Sequence, residues 1–130
     1  MSENFLRVDP PRRALLPVLE RVKQAYLLWN ILLSHTPKYS RQTLGLKIDS
    51  LLLETLEWAF RASYLPPSQK TSAVITAITK LDLAKFFLQV GWEGGMLDDK
   101  QYARVSEPLV EASKMLVGWK EYLEKKTPPR

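Results

Sequence analysis

The sequence has 130 residues, 45% of them apolar and 25% charged, and its 19 basic and 14 acidic residues leave a net charge of +5. That composition fits one folded domain with its own core, and it excludes a disordered chain. Cysteine is absent, which removes disulfides, thiolate metal sites and thiol nucleophiles, and no apolar run approaches the roughly 20 residues that span a bilayer. The opening Met1-Ser2-Glu3-Asn4 lacks the basic start and apolar stretch of a secretion signal, so the expected compartment is the cytoplasm.

Helix breakers punctuate the chain, with proline pairs at Pro10-Pro11, Pro66-Pro67 and Pro128-Pro129 and glycines gathered at Gly91, Gly94 and Gly95. Residues 1–13 read as an N-terminal arm. A first helix is predicted from Ala14 to His35, because Leu15, Leu19, Val22, Tyr26, Trp29 and Leu33 recur at steps of 4 and 3. Pro37 ends it. A second helix follows from Tyr39 to Tyr64, with Leu44, Ile48, Leu51, Leu52, Leu56 and Ala59 on its core face and Leu46, Leu53, Trp58 and Phe60 on other sides. The third helix is expected to take Ser68 as N-cap and to run to Gly91, with Val74, Ile78, Leu81, Leu88 and Trp92 on one face and Lys85 inside that seam. The glycine cluster suits a left-handed C-cap.

The fourth helix starts at Asp98, whose spacing to Gln101 matches a capping box. Its seam is Tyr102, Val105, Leu109, Ala112, Leu116, Trp119 and Leu123, a sustained period of 3.5. Pro108 within it predicts a kink. Residues 126–130 read as a disordered tail, with fraying expected from Lys125 onward. Four helices with short connections over residues 14–125 predict an all-α, up-down-up-down four-helix bundle.

Candidate chemistry is sparse. A bundle-core di-metal site needs Glu-x-x-His pairs, and the single histidine, His35, has Leu32 at that spacing. His35 precedes a helix break, where it reads as a C-terminal cap. The segment Gly91-Trp92-Glu93-Gly94-Gly95 has neither the spacing nor the preceding strand of a phosphate loop. No serine has a histidine partner in prospect, and Glu57 with Arg61 reads as an i,i+4 ion pair. No catalytic residue, metal or cofactor is expected.

What remains is surface. Residues 93–111 carry a local charge of −3 and residues 112–130 a local +3. The basic candidates for contact with an anionic partner are Arg61, Lys80, Lys85, Lys114 and Lys120. Lys85 has two readings, a partner contact or a seam lysine snorkelling to the surface beside Asp82. Trp29, Trp92 and Trp119 lie on core faces, whereas Leu46, Leu53 and Trp58 lie off theirs and predict a self-association patch.

Two segments carry a family likeness. Pro37-Lys38-Tyr39-Ser40-Arg41-Gln42-Thr43-Leu44-Gly45 resembles the opening of the second helix in a group of small bacterial four-helix proteins, and Ala112-Ser113-Lys114-Met115-Leu116-Val117-Gly118-Trp119-Lys120 resembles their closing Gly-Trp signature. Val117 stands where that signature commonly has glycine. The group includes proteins encoded by intervening sequences of 23S ribosomal RNA and Avd, the accessory variability determinants of diversity-generating retroelements. The Leu-rich second helix, the spacing of the two segments and the C-terminal Gly-Trp favour the Avd side. The resemblance spans about residues 15–124. It implies a homopentameric barrel of four-helix protomers that binds a reverse transcriptase and nucleic acid, leaving catalysis to the polymerase. The alternatives are a protein of the intervening-sequence type and a purely structural homo-oligomer.

Overall fold

The computed structural model describes residues 16–126, all of whose regular structure is helical. The expected N-terminal arm, the start of the first helix at Ala14 and residues 127–130 lie outside the described residues. Four long helices are present: α1 (Leu16–Leu33), α2 (Leu46–Tyr64), α3 (Pro67–Glu93) and α4 (Asp99–Lys126). One α-turn (Lys38–Ser40) and one π-turn (Arg41–Gly45) lead into α2. Helix α1 packs on α2 and α4, and α3 packs on α2 and α4, which is the closed ring of an up-down-up-down four-helix bundle.

Local chemistry sets each boundary. Helix α1 stops at Leu33, short of His35, because three side chains take its last carbonyls. Ser34 Oγ and His35 Nδ1 both donate to Ile31 O, at 2.7 and 2.9 Å, and Thr36 Oγ1 donates to Leu33 O at 2.8 Å. The role of His35 as a cap is therefore the one its position predicts. Arg41 reaches back and donates from Nη1 to Thr36 O at 2.8 Å, tying the π-turn to the end of α1.

Ser68 does not cap α3. The helix starts two residues earlier than such a cap implies, with Pro67 at its first position and Pro66 before it, and no side chain caps the end. Proline there gives up an amide that has no intrahelical acceptor, and its fixed φ already suits the helix. The end of α2 is held from the neighbouring helix, since Lys70 Nζ donates to Ala62 O at 2.8 Å and Ser63 O at 3.2 Å. Burial lowers the Lys70 pKa below its ordinary value.

The turn from α3 to α4 follows the expected pattern. Gly95 takes φ +86°, Gly95 N donates to Trp92 O at 3.1 Å, and Met96 N donates to Gly91 O at 2.8 Å. Those two bonds are the Schellman pair. Helix α4 then opens on a reciprocal capping box, Gln101 N to Asp98 Oδ1 at 2.8 Å and Asp98 N to Gln101 Oε1 at 2.9 Å. Asp98→Ala is expected to lower stability by about 1 kcal/mol, read as a shift of the urea midpoint with unchanged slope. Helix α4 continues to Lys126, one residue into the expected tail. Basic residues favour a helix C-terminus, and Lys126 Nζ sits 5.4 Å from the Tyr122 ring centre. Pro108 is buried within the helix.

The core is built from Val22, Ala25 and Trp29 of α1, Ile48, Leu52 and Ala59 of α2, Val74, Leu81 and Leu88 of α3, and Val105, Leu109 and Leu116 of α4. Small buried residues on both helices (Ala59 and Ala62 of α2, Ala73, Ala77 and Ala84 of α3) let α2 and α3 approach closely, and theirs is the most extensive helix pair. Of the tryptophans expected inside, Trp29 is fully buried, but Trp92 and Trp119 are only half-buried at the edges of the core. Trp92 stays at the surface because its indole N–H is used there. It donates to Asp99 Oδ1 at 2.8 Å while the ring stacks on Tyr102 at 4.5 Å.

Candidate interaction surfaces

The five basic candidates do not form one patch. Arg61 Nη2 pairs with Glu57 Oε2 at 2.6 Å and its guanidinium lies 4.9 Å over the Trp58 ring. Lys80 Nζ bridges from α3 to Glu54 Oε1 of α2 at 3.1 Å. Lys120 pairs with Glu124 at 3.6 Å. Lys85 Nζ donates to Ser113 Oγ of α4 at 2.8 Å and lies 3.7 Å from Asp82 Oδ1. Its seam position is thus occupied by a snorkelling lysine that stitches α3 to α4. Lys114 is exposed and has no hydrogen-bond or ion-pair partner among the described residues.

Lys85 and Lys114 are the two that the fold brings together. They line one groove between α3 and α4, of about 410 Å³, with Ile78, Val117 and Gly118 and with the carboxylates of Asp82 and Glu121. Gly118 sits in the interior of α4, and a Cβ built on it would meet nothing within 4 Å. A helix-interior glycine costs about 1 kcal/mol relative to alanine, and no packing among the described residues requires it. Gly45, the glycine of the earlier family-like segment, is the opposite case. A Cβ there would lie 2.7 Å from Leu33 Cδ1 and 3.0 Å from Ser40 O, so glycine is demanded by the α1–α2 corner.

Of the three residues expected to form a self-association patch, two are exposed. Leu46 (58% exposed) and Leu53 (45%) project to solvent from α2. Trp58 does not join them; it is half-buried, packs against the core and lies under Arg61. The residues that complete the row are Phe60 and Tyr64, which contact edge-to-face at 4.9 Å and are 42% and 51% exposed. Leu46, Ser50, Leu53, Glu57, Phe60 and Tyr64 recur at steps of 4 and 3, directly opposite the buried face of α2. That second heptad is itself a sequence signal. Helix α3 carries a comparable outward row, Ile75, Leu83, Phe86 and Val90. Exposed apolar side chains also occur on α1 (Leu27, Ile31) and α4 (Val110, Val117, Tyr122), among charged residues that include Glu20, Lys23, Glu107, Lys114 and Glu121.

Beneath the α1–α2 contact, burial first and then the Asp49 carboxylate raise the Tyr26 phenol above its ordinary pKa. Among the described residues no group of three or more His, Asp or Glu side chains could hold a metal ion, and no helix is long and apolar enough to cross a membrane. No family model, curated protein or solved structure matches the chain.

Proposed function

We propose that this chain is a non-catalytic accessory protein of a diversity-generating retroelement, acting as an Avd-type homopentamer that binds the reverse transcriptase and its RNA. The reading rests on the family-like segments at residues 37–45 and 112–120. The single observation that carries it furthest is the coincidence, in one α3–α4 groove, of Gly118 from the closing segment with Lys85 and the unpaired Lys114. A glycine that no packing among the described residues needs, beside a cation with no partner among them, suits a docking surface for an anionic or helical partner. Five copies multiply that modest charge into a basic surface that one copy lacks. In this reading Arg61, Lys80 and Lys120, held in ion pairs, are secondary contributors.

The test is binding of single-stranded RNA, and separately of the reverse transcriptase, across a salt series. Lys114→Glu is expected to weaken RNA binding about tenfold near 0.1 M salt and to shrink the log–log salt slope by about 0.7 for each phosphate no longer neutralised. Helicity and oligomer mass stay unchanged, because Lys114 is exposed. Wild-type affinity of Lys114→Glu for both partners at every salt concentration would remove the groove from the proposal.

A further inference from the structure

Two consecutive prolines close helix α2. In an uninterrupted helix the carbonyls of Ala62 and Ser63 accept from the amides of residues 66 and 67. Here those residues are Pro66 and Pro67, which have no amide hydrogen to give. Both carbonyls are met instead by one side chain, since Lys70 Nζ donates to Ala62 O at 2.8 Å and to Ser63 O at 3.2 Å. A single amine near the start of α3 thus replaces two backbone donors that the sequence has removed from the end of α2. We infer that Lys70 is a modification site and a latch: its amine takes an acyl group from a small acyl phosphate, and acylation releases the α2–α3 corner. The inference goes beyond the proposed retroelement role and does not depend on it.

Surroundings set Lys70 apart from the paired lysines. Lys23, Lys80, Lys85 and Lys120 lie beside the carboxylates of Glu20, Glu54, Asp82 and Glu124, which hold the ammonium proton in place. Among the described residues no carboxylate pairs with Lys70, and the first turn of α3 has no acidic residue. Its partners there are two neutral carbonyls in a half-buried position, and burial lowers its pKa. At a given pH, more of Lys70 is uncharged amine than of an exposed lysine.

Geometry prepares that amine as a nucleophile. An ammonium has three N–H donors. Ala62 O and Ser63 O take two, and the third hydrogen is the one free to leave to water. The resulting amine keeps both bonds and carries its lone pair where the third hydrogen stood, directed away from the two carbonyls. The lone pair attacks the acyl carbon and an N–C bond forms. The C–O bond to the phosphate breaks, inorganic phosphate leaves with that electron pair, and one Nζ hydrogen passes to water. The product nitrogen has one N–H and no charge, so it can serve only one of the two carbonyls. The prolines cannot supply a donor for the other.

The test treats the full chain with acetyl phosphate near neutral pH and reads acetylation at each lysine by peptide mass spectrometry at low conversion. Lys70 is expected to react at least about threefold faster than Lys114, which is exposed and has no partner among the described residues. In the acetylated protein, amide hydrogen exchange is expected to quicken about tenfold over residues 60–72 and to stay unchanged over residues 105–116 of α4. Lys70→Arg keeps a cation with donors for both carbonyls and stays protonated, so its exchange is expected to match untreated wild type before and after treatment. Lys70→Met lacks the donors and is expected to exchange over residues 60–72 as the acetylated protein does, with no acyl donor present. Acetylation of Lys70 no faster than that of Lys114 overturns the site. Unchanged exchange in protein acetylated at Lys70, or an equal rise in treated Lys70→Arg, overturns the latch. Wild-type protection in Lys70→Met does the same, and if that variant fails to fold, the acetylated wild type carries the measurement.

Discussion

Trp29→Ala is expected to lower stability by about 3–5 kcal/mol, because the indole is fully buried among the α1 seam residues Val22 and Ala25 and the facing core. Against a typical total of about 5–15 kcal/mol for a domain, that is enough to move the denaturant midpoint by a large fraction. The same side chain contains an internal contrast. Its Nε1 is buried without a hydrogen-bond partner among the described residues, and an unmet buried donor costs about 1–3 kcal/mol. Trp29→Phe removes that donor while keeping an aromatic ring in place, so its cost is expected below about 1.5 kcal/mol. Trp119→Ala, at the half-buried edge of the core, is expected to cost about 1–2 kcal/mol, because less area is withdrawn from water. Equilibrium urea unfolding of the three variants checks the ordering. A Trp29→Phe as damaging as Trp29→Ala would mean that the indole nitrogen is satisfied in solution.

The helix faces are legible in the sequence because the periodicity of apolar residues is a direct record of what faces the core. Val22, Ile48, Leu81 and Leu109, all placed inward by spacing, are all fully buried. So are the ends with side-chain chemistry: the Asp98–Gln101 box, the Gly95 turn and the His35 cap each depend on residue types that few other roles favour. The start of α3 is ambiguous between a Ser68 cap and Pro67 at the first position, because proline and serine both signal a helix beginning, here one residue apart. Tryptophan burial is less legible. Spacing gives the direction of a side chain but not how far its amphipathic ring extends past the edge of the core, and Trp58, Trp92 and Trp119 all lie at such edges. The π-turn at Arg41–Gly45 rotates the chain between helices and leaves no mark in the apolar pattern. The candidate basic residues are identifiable as types, and the pairs within one helix, such as Glu57 with Arg61, follow from spacing, but the contacts between helices do not. Lys80 with Glu54 and Lys85 with Ser113 join different helices, and only the fold sets those contacts.

The two motif glycines are expected to respond to substitution with opposite signs. At Gly45 a Cβ meets both the Leu33 side chain and the Ser40 carbonyl of the turn that leads into α2. The carbonyl belongs to backbone that Arg41 ties to the end of α1, so it cannot withdraw without opening the corner. Gly45→Val is therefore expected to cost about 3 kcal/mol, the upper end for overpacking a buried site. At Gly118 a Cβ enters open space on an exposed stretch of α4. Gly118→Ala is expected to stabilise the isolated chain by about 1 kcal/mol through helix propensity, a rise in Tm of roughly 3–5 °C for a domain of this size. If the glycine admits a partner backbone into the α3–α4 groove, the same methyl group obstructs it. The more stable variant should then bind the reverse transcriptase or RNA less well, with a loss of at least about tenfold, or 1.4 kcal/mol. Stability and binding measured on one preparation separate the two roles. A Gly118→Ala protein that melts higher and binds both partners as wild type does would show that the glycine serves no contact, and would withdraw the groove from the proposed interface.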